Sequence, residues 1–214
     1  MPTRNREKFL PAAIDCFLNQ TYGNKELIIS YDAKAEIYLW YLPQNIITYH
    51  CSDAIRLGKK RNLCCEMAHG SIICHWDDDD WSSPERIEYQ VKMLHESEKP
   101  VTGFSSMFFW DVINRQAKQW NAELPGDVCG TSLCYLKEYW RNNQFPDIAA
   151  KEDNAFVKNA RRQDCIKASS DNRMMVARIH PGQTSGKDNI DAVVPREMIP
   201  TEFWENERIR IGHE

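Results

Sequence analysis

Four consecutive aspartates, Asp77 to Asp80, stand directly after the apolar run Ser71-Ile72-Ile73-Cys74-His75-Trp76. The apolar run reads as a short buried strand. Carboxylates packed this closely repel one another and raise one another's pKa. Two readings are open. One is a solvated acidic loop, or an N-cap for the helix that opens at Ser82-Ser83-Pro84. The other is a hard-cation site: carboxylate oxygens suit magnesium, manganese or calcium, and the cation removes the repulsion. An EF-hand loop is excluded, because its alternate-residue ligands, glycine and distal glutamate are missing.

The residues before and after the run alternate between helix and strand patterns. Phe9, Leu10, Ala13, Ile14, Phe17 and Leu18 recur at helical spacing, with Pro11 in the first turns, where a missing amide is tolerated. Tyr22-Gly23-Asn24 marks a turn, and Leu27 to Tyr31 reads as a short buried strand. Residues 36–42 fit either a helix or a strand. Asn45 to His50 reads as a strand, Lys59 to His69 as a helix stopped by Gly70, and Pro84 to about His95 as a helix with Glu85 in its first turn. Strands and helices in this order predict an α/β chain with a mostly parallel sheet, whose ligands sit beyond the carboxyl ends of the strands. The acidic run stands at such an end. Further on, 101–110, 132–135 and 174–179 look like strands and 152–163 like a helix. Residues 188–214 form a polar tail of uncertain fold. With no visible linker, the 214 residues are read as one domain: 1–95 ending in the acidic run, 96–190, and a tail 191–214.

Composition narrows the class. Hydrophobic residues at 42% and charged residues at 27% are globular proportions, and the net charge of −4 argues against a general nucleic-acid binder. No 18-residue apolar stretch is present, and the first 30 residues lack an uninterrupted apolar segment. The eight cysteines include no CxxC pair, so a zinc ribbon is not expected, and several lie inside apolar runs. They read as reduced core thiols of a cytoplasmic protein, with a disulfide framework as the alternative.

Met1-Pro2-Thr3-Arg4-Asn5-Arg6, then Gln20-Thr21-Tyr22, Lys25-Glu26-Leu27-Ile28-Ile29, Lys60-Arg61-Asn62-Leu63, and Trp76-Asp77-Asp78-Asp79-Asp80-Trp81-Ser82-Ser83-Pro84 resemble, in order and spacing, family 2 glycosyltransferases. The resemblance covers residues 1–95 well and extends more loosely to about 180 through Glu152-Asp153 and Arg178-Ile179-His180. It also reaches the first domain of longer, virus-encoded (chlorella-virus-like) members, which would place the chain in a host cytoplasm beside further domains. It implies a GT-A, Rossmann-like fold and metal-dependent transfer of a hexose or deoxyhexose from a nucleotide sugar to a hydroxyl of a glycan or other acceptor. Inversion at the anomeric carbon comes from the resemblance alone. Pro2, Thr3, Arg4 and Arg6 would frame the base and ribose, and Asp32 would accept from a uracil ring, which favours a UDP-sugar. Its usual acidic partner is replaced by Tyr31. Lys60 and Arg61 would lie near the phosphates, unless they belong to an ordinary solvated helix face. Counting back from Pro84 selects Asp77 and Asp79 as the spaced pair for Mn2+ or Mg2+, with Asp78 and Asp80 as the other frame and Asp79 favoured as the direct ligand. His180 would add a metal or phosphate contact. Asp153 would be the general base, and Glu152 would orient a sugar hydroxyl or cap the helix. Relatives carry an apolar strand before Met-Pro-Thr, and here Met1 stands within it.

His75 reads as core. Trp76, Trp81 and Trp110 either line a sugar pocket or simply pack. Two other functions stay in view. A nucleotidyltransferase forming sugar nucleotides would share the sheet and acidic site but carry a Gly-rich phosphate loop, and Pro2 to Arg6 has no glycine. A non-catalytic nucleotide- or carbohydrate-binding module would have no need of Asp153.

Overall fold

The computed structural model describes residues 1–31, 42–51, 55–183, 190 and 192–211. Helix α1 (Leu10–Leu18) buries Leu10, Ala12, Ala13, Cys16 and Phe17, with Pro11 in its first turn. Strands β1 (Leu27–Tyr31) and β2 (Ile46–His50) pair in parallel, and residues 1–3 lie along the other edge of β1. There Ser30 N donates to Met1 O and Thr3 N to Ser30 O. Helix α2 (Leu57–Met67) follows, then β3 (Ile72–Cys74), and the acidic run begins within three residues of its end. Gly58 opens α2 against the 146–148 loop: a Cβ there would meet Pro146 O at 1.9 Å, and its own N–H donates to Ile148 O.

The short strand β4 (Trp81–Ser82) leads into α3 (Arg86–Ser97), closed by Glu98 in the left-handed region. The stretch 101–110, which reads as one strand, is two. β5 (Val101–Phe104) and β6 (Ser106–Asp111) belong to different sheets and part at Ser105, whose N–H donates to Ser169 O while its carbonyl accepts from Ala122 N. Then come β7 (Gln116–Asn121), β8 (Cys134–Leu136), α4 (Lys137–Asn142), α5 (Glu152–Arg162), β9 (Ile166–Ser169), β10 (Met175–Ile179), β11 (Ala192–Val194) and α6 (Thr201–Ile211).

The α/β class expected from the sequence is what forms, with mixed sheets. β6–β10 and β5–β9 are parallel like β1–β2, whereas the other described ladders, in the orders β11-β7-β6-β10-β4 and β3-β8-β5-β9, are antiparallel. The β6–β7 connection has only four residues, too few for the crossover that a parallel pair requires.

Three apolar clusters hold these layers. One joins Leu10, Phe17, Ile29, Trp76, Trp81, Val176 and Phe203; a second joins Val101, Leu133, Tyr135, Phe145 and Phe156; a third joins Phe104, Met107, Phe109 and Met175. Gln20 pins α1 to α3: its Nε2 donates to Cys16 O and Ser83 O, and its Oε1 accepts from Ile87 N. Helix α6 of the tail is part of this core, since Phe203 is fully buried against Trp81 and Asn206 donates to Ala12 O. Among the described residues no helix is long and apolar enough to cross a membrane. Phe203→Ala should cost about 3–5 kcal/mol, the usual range for emptying a buried aromatic site. Urea unfolding checks this, and a change below about 1 kcal/mol would mean that α6 is not docked as described.

Candidate functional site

The acidic run forms the floor of a cleft of about 1220 Å³, lined on one side by Pro2 to Arg6, Lys60 and Arg61 and on the other by Gly130, Thr131 and Lys151 to Asn154. The run is not a solvated loop: Asp78, Asp79 and Asp80 are buried. Each carboxylate meets a different part of the chain. Arg61 Nη1 donates to Asp77 Oδ1 at 3.0 Å. Arg6 Nη1 donates to Asp78 Oδ1 (2.9 Å) and Asp79 Oδ2 (2.7 Å), and its Nη2 donates to Gly182 O. Thr131 Oγ1 donates to Asp80 Oδ2 at 2.6 Å, and the Arg178 backbone N–H donates to Asp80 Oδ1. The Arg178 guanidinium reaches Asp79 O, Asn206 Oδ1 and Glu207 Oε2.

His180 Nε2 lies 3.0 Å from Asp79 Oδ2, and its Nδ1 accepts from Gly182 N. That second bond fixes the tautomer, so Nε2 carries the proton and donates to the carboxylate. The ring also packs on Phe9.

These surroundings separate the aspartates electrostatically. Burial works against the ionised form of Asp77, but the adjacent Arg61 guanidinium outweighs it and holds the carboxyl well below the usual range. Burial and then the neighbouring Asp79 push Asp78 up to about 7, even with Arg6 beside it. Asp77, Asp79 and Asp80 can bring one carboxylate oxygen each within 4.8 Å of one another. Three hard oxygen donors so arranged fit a divalent cation such as Mg2+ or Mn2+.

Lys60 and Arg61 are buried, so a solvated helix face is not their setting. Lys60 Nζ donates to Thr3 O, fastening the N-terminal loop to α2. Arg61 Nε donates to Glu152 Oε1 at 2.8 Å, which ties the start of α5 to α2, and Glu152 is buried at the edge of the cleft. Burial raises the Glu152 pKa and Arg61 offsets part of the rise. Asp153, at the start of α5, lines the cleft. Its carboxylate lies flat on Gly130: a Cβ at that position would meet Asp153 Oδ2 at 2.1 Å. Asp32 lies outside the described residues.

His75 is core. It donates from Nδ1 to Gly130 O and faces Tyr135 with Nε2, and burial together with Arg61 holds its pKa well below the ordinary value. Trp76, Trp81 and Trp110 are buried in the core, and none of them lines the cleft. Among the described residues the tryptophan that does line it is Trp120 on β7, together with Phe109. Sequence patterns also pass over Arg86. It is almost wholly buried and donates to Ser82 Oγ, Gln90 Oε1, His75 O and Thr131 O, with its guanidinium 5.2 Å from the Trp76 ring centroid. Its position in the first turn of a surface-looking helix gives no signal of this.

A family model, glycosyl transferase family 2, matches residues 1–160 of the 214. The chain belongs to that family. Within it, the chain is 36% identical over 99 residues to EpsE of Bacillus subtilis (strain 168), named as a glycosyltransferase; the match covers 42% of this chain and 35% of EpsE. It is 33% identical over 111 residues to WcaA of Escherichia coli (strain K12), named as a colanic acid biosynthesis glycosyl transferase, covering 49% and 39%. The chain therefore spans little more than a third of the length of these relatives. Among solved structures, Staphylococcus aureus TarS 1-349 superposes with a TM-score of 0.67 at 18% identity, covering 83% of this chain and 58% of that one. The same protein in complex with UDP-GlcNAc gives 0.67 at 19%, covering 99% and 64%. These likenesses show the fold, which is the GT-A fold of family 2 glycosyltransferases. The relatives named here are bacterial.

Arg86→Met keeps the bulk of the side chain but leaves buried carbonyls of His75 and Thr131 without a donor, each such loss costing about 1–3 kcal/mol. The variant should unfold at distinctly lower urea concentration than the wild type. An unchanged midpoint would show that water replaces the guanidinium.

Proposed function

We propose that this chain is the catalytic region of a glycosyltransferase that moves a sugar from a UDP-sugar to a hydroxyl acceptor, with a divalent cation at the acidic run and Asp153 as general base. The observation that carries the reading is the meeting, in one cleft, of the Asp77, Asp79 and Asp80 triad with the Asp153 carboxylate. The fold neighbour has been captured with UDP and with UDP-GlcNAc, which supports a nucleotide-sugar donor. A nucleotidyltransferase is less favoured by the glycine-free Pro2–Arg6 loop.

In this reading Asp77, Asp79 and Asp80 would hold Mn2+ or Mg2+. When bound, the ion supplies positive charge for the diphosphate as the sugar leaves. Pro2, Thr3, Arg4 and Asp32 bind the nucleoside. Arg6, Lys60 and Arg61 bring cationic and N–H groups to the phosphate end, and Arg61 also holds Asp77 ionised. His180 holds Asp79 through its Nε2 proton. Asp153 takes the proton from the attacking hydroxyl as the new bond forms, which fits inversion by a single displacement. Glu152, tied to Arg61, fixes the start of α5 and so the position of its neighbour Asp153. The donor half is 1–95 and the acceptor half 96–190, followed by the tail 191–214.

Two measurements test this. UDP should bind at least about tenfold more tightly, about 1.4 kcal/mol, with manganese than with EDTA, and Asp79→Ala should remove the difference. Equal affinities in calorimetry would end the metal reading. Asp153→Asn should lower metal-dependent UDP release from a panel of UDP-sugars by about 10²–10⁴-fold while leaving UDP affinity unchanged. Gly130→Ala, which pushes the same carboxylate aside, should change rate and affinity in the same pattern. Wild-type rates in Asp153→Asn would remove that residue from the chemistry.

A further inference from the structure

Beyond Asp153 the cleft continues along α5, and its chemistry changes. Lys151, Asn154, Lys158 and Arg161 all line it. Their spacing of three, four and three residues places them on one stripe of the helix and its N-terminal flank. The stripe holds three cations and no carboxylate. Arg161 has an ion-pair partner, Asp127, at 3.5 Å. Among the described residues no carboxylate lies within 4 Å of the Lys151 or Lys158 ammonium, and both side chains are exposed. Arg56, which also lines the cleft, donates to the backbone carbonyl of Asp147 at 3.0 Å and pairs with no carboxylate among the described residues. Trp120, half-buried, is an aromatic lining residue of the same cleft.

This is not the overflow of a basic protein, since the chain as a whole carries a net charge of −4. Nor would a diphosphate held at the acidic run account for it. That group would have Arg6, Lys60 and Arg61 beside it, whereas five residues of helix place Lys158 about 7.5 Å along the axis from Asp153, and eight place Arg161 about 12 Å. A neutral acceptor would gain little from uncompensated cations. An acceptor with its own anionic groups would gain charge-assisted hydrogen bonds, and a sugar face can pack on an indole ring.

We propose that the acceptor is an anionic glycan. Its reacting hydroxyl lies at Asp153, and carboxylate or phosphate groups one or two units away lie against Lys158, Lys151 and Arg161, with Arg56 beside the same path. The inference rests on the glycosyltransferase reading of this cleft and names the class of its second substrate.

The test measures binding of three probes to the whole chain in the presence of saturating UDP and manganese, which occupy the donor end: neutral dextran, polygalacturonate and inorganic polyphosphate. Polygalacturonate, polyphosphate or both should bind, dextran should not, and the binding should weaken as salt is raised. Which of the two anions binds tells carboxylate from phosphate. Lys158→Ala should weaken the anionic probe about threefold and Lys158→Glu about tenfold, with UDP affinity unchanged. Lys158 is exposed in mid-helix, so neither change threatens the fold. Equal binding of dextran and the polyanions, no binding of either polyanion, or unchanged polyanion affinity in both Lys158 variants would overturn the proposal. Metal-dependent UDP release from the UDP-sugar panel, by the same protein preparations without added UDP, is read in parallel. Its absence in the wild type would end the glycosyltransferase reading, whereas its presence with no polyanion effect would end only this one.

Discussion

Everything in this structure is arranged around compensating four adjacent carboxylates. Taking charges out of water costs several kcal/mol each unless paired and hydrogen-bonded, and Asp78, Asp79 and Asp80 are nearly out of water. Their partners come from distant parts of the sequence: Arg6 before α1, Arg61 on α2, Thr131 in the turn before β8, and Arg178 and His180 on and after β10. The acidic run is therefore the knot that ties these elements together. A chain that kept the apolar strand but lost the aspartates would bury Arg6 and Arg61 with fewer acceptors, and it would lose geometry as well as charge.

The knot extends to the other half through one turn. Thr131 holds Asp80, the neighbouring Gly130 carries the Asp153 carboxylate on its bare Cα, and the Gly130 carbonyl accepts from His75. Arg86 supports the arrangement from below by donating to the carbonyls of both His75 and Thr131. Arg61 closes the circuit, with Asp77 on one side and Glu152, next in sequence to Asp153, on the other. The spacing between the acidic run and Asp153 is thus set by short hydrogen bonds on buried groups. Such positions move least, which suits a site where misplacement by about 1 Å can cost 10²-fold in rate.

The first half of the fold was legible because its signals are local and apolar. Leu27–Tyr31, Ile46–His50, α2 and α3 sit within a few residues of where hydrophobic runs and turn residues place them. The second half hides its core in polar residues. Strand β7 reads Gln-Ala-Lys-Gln-Trp-Asn, and α6 turns Phe203, Asn206, Glu207 and Arg210 inward, three of the four polar. No hydropathy pattern marks such a helix, because its burial is bought by Arg178 pairing with Glu207 and Asn206. The acidic run stood out by residue type, and Glu152-Asp153 was singled out by the family resemblance; both line the cleft. Trp120, Gly130 and Arg86 could not be singled out either way, because their roles depend on what the fold brings beside them.

One atom concentrates the remaining tension. Asp79 Oδ2 accepts from both Arg6 and His180. A divalent ion held by Asp77, Asp79 and Asp80 would compete with two donors for that oxygen, and the two are not equally replaceable. His180 is buried and fixed from behind by the Gly182 N–H and by the Phe9 ring. The Arg6 side chain is 14% exposed, lies on a loop, and keeps a second hold on Asp78 and a third on Gly182 O. Like-charge repulsion from an arriving cation acts fully on the guanidinium, which is always protonated, and little on a neutral imidazole. Were a cation held by Asp77, Asp79 and Asp80, Arg6 would be the donor to yield on Asp79 and His180 the one to stay. The guanidinium would remain within reach of the same cleft, where a diphosphate would offer it stronger acceptors than the aspartate.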